Sequence, residues 1–147
     1  METQLTSAEI KEKLQLLQDY NPAQEALAIL QKNNGKLDTT FDELWHEKNS
    51  LSEKGPFISN GKSFWKVTLE VLRQELCGDE GFRAQFKEYS KNPGSAPLLT
   101  GLIVSMVTIS GLPIDPAIAT IIVLYILKIG LNIFCEYTAT ANDSNNM

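Results

Sequence analysis

The sequence predicts an all-α protein, a small helical bundle followed by a C-terminal antiparallel apolar helical hairpin. Three observations carry this. Apolar residues recur at spacings of three and four, and no stretch alternates with period two, so no sheet is expected. Charge divides sharply along the chain. Residues 1–92 hold 12 of the 13 basic and 15 of the 18 acidic residues, whereas from Pro93 onward only Asp115, Lys128, Glu136 and Asp143 are charged. The stretch Lys91-Asn92-Pro93-Gly94-Ser95 lies at that division, and its Pro and Gly forbid a continuous helix. The expected organisation is a soluble bundle over 1–92, with Pro93 and Gly94 as linker, a hydrophobic hairpin over 93–137, and a polar, frayed tail over 138–147.

The first helix opens at Thr6-Ser7 ahead of Glu9, and Ile10, Leu14 and Leu17 give it one apolar face ending near Tyr20. Asn21-Pro22 starts a second, with Asn as cap and Pro in the first turn, where its missing N–H costs nothing. Ala23, Leu27 and Leu30 face inward, and Asn33-Asn34-Gly35 stops it. A third helix, capped near Asp38 or Thr39, carries Phe41, Leu44 and Trp45. Residues 49–62 collect Ser, Asn, Gly and Pro and are predicted to form a loop. Ser63 then caps a helix with a stripe of Phe64, Val67, Val71 and Leu72, and with Trp65, Leu69 and Leu76 beside it. So broad an apolar surface predicts that this is the central helix of the bundle. A last bundle helix, from about Asp79 to Ser90, presents Phe82, Phe86 and Tyr89.

The back half reads PLLTGLIVSMVTISGL from Pro97 to Leu112, with no charge, and PAIATIIVLYILKIGLNIFC from Pro116 to Cys135, with one. Between them Pro113, Asp115 and Pro116 form a stop and restart, Asp115 as cap, so the two helices are expected to run antiparallel. Against a hydrocarbon core of roughly 30 Å, the first segment is short and the second carries Lys128, which costs about 2.5–3.5 kcal/mol near a bilayer centre. Insertion is therefore favoured only when the two helices enter together or in an oligomer. Tyr125, Lys128, Asn132 and Glu136 fall at spacings of three, four and four, on one polar face of an unbroken helix. Gly101, Ser105 and Thr108 share a face of small side chains that permits close helix packing. An apolar-all-round helix also suits the buried centre of a soluble bundle, with Lys128 reaching out to an acid. Basic residues Arg83, Lys87 and Lys91 precede the hairpin and the turn has none. In a membrane this arrangement predicts cytosolic termini.

Chemistry is sparse. Net charge is −5 with no basic block, which argues against nucleic acid. The single histidine, His46, lies near Glu43 and Glu47 on a helix, as a surface residue would. One histidine with two distant cysteines, Cys77 and Cys135, builds no ordinary zinc site. The cysteines fall in unrelated contexts and suit a reducing cytosol. METQLTSAEI lacks the basic start and apolar core of a secretory signal. No phosphate loop or dinucleotide fingerprint occurs: Asn60-Gly61-Lys62-Ser63 lacks the first glycine and the preceding strand. Neither a catalytic residue, a metal nor a cofactor is expected.

A helical domain joined to a two-helix apolar hairpin, here Asn92 to Tyr137, resembles the membrane-acting effectors of bacterial conflict systems. The resemblance is one of architecture. It implies a non-enzymatic, pore-forming or membrane-disrupting defence effector on the cytoplasmic side of the inner membrane, or in the cytosol before activation. Its partners would be membrane lipid and further copies of the chain, with Lys128, Asn132 and Glu136 at a lumen or seam. The alternative from a different class is a soluble helical adaptor or oligomerisation module. There residues 1–92 bind a protein partner and the hairpin is buried in a core or interface.

Overall fold

The computed structural model describes residues 4–48, 64–111 and 114–136. The predicted loop over 49–62, the Ser63 cap, Pro113 and the tail over 138–147 lie outside them. The described chain is all-helical: α1 (Ser7–Leu16), α2 (Asn21–Lys32), α3 (Leu37–Lys48), α4 (Phe64–Cys77), α5 (Glu80–Lys91), α6 (Ala96–Ser110) and α7 (Pro116–Ile129). A short α8 follows at residues 131–136.

The helix starts follow local chemistry. Thr6 and Glu9 close a capping box on α1, in which each side chain accepts from the other residue's backbone N–H. Asp79, Ser95 and Asp115 cap α5, α6 and α7 through side-chain oxygens. At α2 the boundary shifts by one: Tyr20 is the N-cap, without a side-chain hydrogen bond, and Asn21 lies inside the first turn beside Pro22. Asn34 and Gly35 end the α2 turn with φ of 59° and 83°. The Gly35 carbonyl accepts from the Leu5 N–H at 2.8 Å, which ties the N-terminal segment to the α2–α3 corner. A Cβ at Gly35 would stand 2.0 Å from the Leu5 carbonyl oxygen, so both φ and space demand glycine there.

The centre of the bundle is α7. Ten consecutive residues, Ala117 through Ile126, are buried, which no one-sided amphipathic helix could achieve. It packs against α2, α3 and α6, while α5 and α4 cover α6, and α1 covers α2. This corrects the expectation that α4 is central. On α4 the inward residues are Trp65, Thr68, Leu69, Leu72 and Leu76, and Val71 is 37% exposed. Of the expected stripe Leu72 is buried, Val67 half-buried and Val71 exposed, so the inward side is the one that Trp65, Leu69, Leu72 and Leu76 share. Aromatic contacts join the layers: Phe41 to Trp65 at 5.2 Å, Trp65 to Tyr125 at 5.1 Å, and Tyr125 to Phe134 at 6.4 Å, all edge-on. Packing therefore runs across the chain boundary at Pro93, a tight exposed turn in which the Tyr89 hydroxyl donates to the Pro93 carbonyl.

Candidate functional site

The α6–α7 pair is the most distinctive part of the sequence, and its surroundings decide what it can do. At 1.5 Å per residue, the 15 residues of α6 and 14 of α7 reach only about 22 and 21 Å, short of a hydrocarbon core of roughly 30 Å. No helix among the described residues is long and apolar enough to cross a membrane. The shortening of α7 has a local cause. Gly130, with φ of 93° and ψ of 142°, ends the helix, and the chain restarts as α8.

That break divides the polar face expected for Tyr125, Lys128, Asn132 and Glu136. Tyr125 and Lys128 belong to α7, whereas Asn132 and Glu136 lie on α8. Tyr125 is buried in the aromatic cluster. The Lys128 ammonium donates to both carboxylate oxygens of Glu9 at 3.0 and 3.1 Å, so the one charge in α7 is met by the capping residue of α1. Asn132 accepts from Arg83 at 3.4 Å, and Glu136 is exposed. Tyr125, Lys128 and Asn132 thus meet three different neighbours, Trp65, Glu9 and Arg83.

Glu9 sits below the usual carboxylate range, chiefly because the Thr6 N–H donates to it, with further help from Lys128; partial burial opposes both. A depressed carboxyl stabilises the fold above its unfolded pKa and loses that contribution as pH falls through its folded one. The Glu9 carboxylate is thus charged at neutral pH, and its contribution to the tie is lost as pH falls through that lowered value. At the other end of α7, Asp115 caps the helix and its charge adds to burial in raising the Tyr20 phenol, which marks the α1–α2 corner as its neighbour.

The predicted packing face of α6 is turned the other way. Leu99, Leu102, Ile103 and Met106 are buried toward the core, because they remove more apolar surface from water than small residues can. Gly101 and Ser105 are half-buried and Thr108 is exposed. A Cβ on Gly101 would meet only the Gln85 amide, at 3.9 Å, so no helix backbone presses on it. With Pro97, Thr100, Val104 and Gly111 these residues make an outer face without a charge, on which Val104 is 50% exposed.

Sequence spacing gave no sign of the remaining tie. Cys77, at the end of α4, and Cys135, in α8, form a disulfide with Cα atoms 5.9 Å apart, at positions 58 apart in sequence. Two cysteines read as unrelated are in fact partners, brought together by the turn at Gly130. Arg83 donates to the Cys77 carbonyl at 3.3 Å and lies 3.8 Å from the Cys135 sulfur.

His46 is exposed on α3, as expected of a surface residue. One turn earlier Asp42 is half-buried, and its carboxyl is raised mainly by burial and then by Asp38, while His46 opposes the shift. Among the described residues no group of three His, Cys, Asp or Glu could hold a metal ion. Comparison with protein-family models, curated proteins and solved structures finds no match to this chain.

Proposed function

We propose that this chain is a non-enzymatic helical oligomerisation module that pairs with a second copy of itself through the outer face of α6. The observation that carries this is the absence of any charge on that face, from Ser95 to Gly111, although it stands at the surface. A helix that meets only water ordinarily carries charges outward, as α5 does with Arg83, Lys87, Glu88 and Lys91. In a two-fold interface residues near the axis face their own copies, so a charge there would oppose itself. An uncharged face avoids that cost, and Gly101, Ser105 and Thr108 let two backbones approach closely. The α6–α7 hairpin then has two roles, α7 as core and α6 as contact surface.

A second reading rests on the same exposed, uncharged face: a bacterial-defence effector that lays α6 on the inner membrane and releases the hairpin into it. Release would have to undo the Glu9–Lys128 pair and carry ten buried residues of α7 out of the bundle.

Sedimentation of the full chain over a range of concentrations separates these. Reversible self-association is expected, and Val104→Glu is expected to weaken it at least about tenfold with unchanged helix content, since an interface charge would face its own copy. A wild-type chain that stays monomeric at all concentrations overturns the module. If that monomer instead remains with carbonate-washed membrane, the effector reading takes its place.

A further inference from the structure

A second surface lies on the opposite type of chemistry, between α5 and α8. On α5 the basic residues Arg83, Lys87 and Lys91 recur every four positions, so they share one side of the helix at a rise of about 6 Å per step. After Gly130 turns the chain, α8 buries Leu131, and Phe134 against Tyr125, and leaves Ile133 49% exposed. The two helices enclose a groove of about 800 Å³ whose walls include Arg83, Phe86, Lys87, Ile129, Leu131 and Ile133. Among the described residues no acidic side chain lines it. In a chain of net charge −5 this is a local reversal: cations on one wall, an apolar floor, and no counter-charge.

The cations differ in how they are held. Arg83 is fixed at the end of the groove by its bonds to the Cys77 carbonyl and to Asn132. Lys87 and Lys91 enter no ion pair among the described residues. An apolar floor beside unpaired cations spaced by one helical turn is complementary to a helix that is apolar on one side and acidic at i and i+4 on the other. A nucleic acid would leave the apolar floor unused and would meet the net negative charge of the whole chain. A bilayer is flat where this surface is concave.

We propose that the α5–α8 groove docks an acidic amphipathic helix of a partner protein, its apolar face on Phe86, Ile129 and Ile133 and its carboxylates on Arg83 and Lys87 of the groove wall and on Lys91, one turn further along α5. This surface is separate from the α6 face and does not depend on self-association. The probe is a synthetic labelled peptide with leucines on one helical face and glutamates at i, i+4 and i+8 on the other, titrated with the full-length oxidised chain and followed by anisotropy. Saturable binding that weakens with salt is expected. Lys87→Glu and Ile133→Asp, both at exposed positions, are each expected to weaken it about five- to tenfold, and Val104→Glu to leave it unchanged. The proposal is overturned if the peptide shows no saturable binding, or if its glutamine counterpart binds equally well. It is also overturned if Lys87→Glu and Ile133→Asp bind like wild type, or if only anionic vesicles or single-stranded DNA compete for the surface.

Discussion

Replacing Cys77 with Ser, or reducing the disulfide, is expected to lower the stability of the folded chain by about 2–4 kcal/mol without altering its helix content at low temperature. The bond joins positions 58 residues apart and so closes a loop that contains α5, α6 and α7. In the chain-entropy description a loop of that length removes about 4 kcal/mol of freedom from the unfolded state, and measured effects commonly fall somewhat below that figure. The helices themselves do not need the bond: the α4 residues Leu72 and Leu76 and the α8 residue Phe134 are buried by packing. Urea unfolding with and without reductant checks this. Cys77→Ser should reproduce the reduced wild type and be insensitive to reductant. Equal midpoints for oxidised and reduced wild-type protein would mean that the bond between α4 and α8 adds nothing to stability.

Ile122→Ala is expected to cost about 2–5 kcal/mol, the range for truncating a large aliphatic side chain where neighbours cannot collapse into the space. Ile122 is fully buried at the middle of α7, in the run from Ala117 to Ile126 that α2, α3 and α6 surround. Close packing leaves those helices little freedom to follow a receding side chain, so most of the cavity persists. A control at Val104, half exposed on α6, should change stability by less than about 0.5 kcal/mol when made Ala. Were the hairpin a separate appendage, Ile122→Ala would leave the unfolding of the remaining helices where it was.

The all-helical class, the inward faces of α2 and α3, and the caps at Thr6 and Asp115 were legible because each depends on residues within one or two turns. The identity of the central helix was not. In α4 a few apolar residues outline a face, which invites a choice of direction, whereas in α7 nearly every side chain is apolar and periodicity has no direction to report. The same composition satisfies a bilayer and a protein interior, so residues 116–135 suit either by composition, and it is the backbone at Gly130 that interrupts them. A lone glycine in a helical pattern is ordinarily tolerated, and only its φ of 93° makes it a break. The partners of Lys128 and Cys77 lie 119 and 58 residues away, distances at which spacing carries no information. Gly101, Ser105 and Thr108 share one side of α6 by spacing alone, but which way that side points depends on where the bulky side is buried.

The buried α7 and the inner side of α6 form the core of this protein, so α1 to α5 are not expected to fold without them. Urea unfolding of a chain ending at Asn92, followed by circular dichroism beside the full-length protein, tests it most directly. The expected result is a weak helical signal that declines without a cooperative transition, because the surfaces that α2 and α3 bury on α7, and those that α4 and α5 bury on α6, are then exposed. A strongly helical truncated chain with a sharp transition of its own would contradict the claim and restore residues 1–92 as an independent domain.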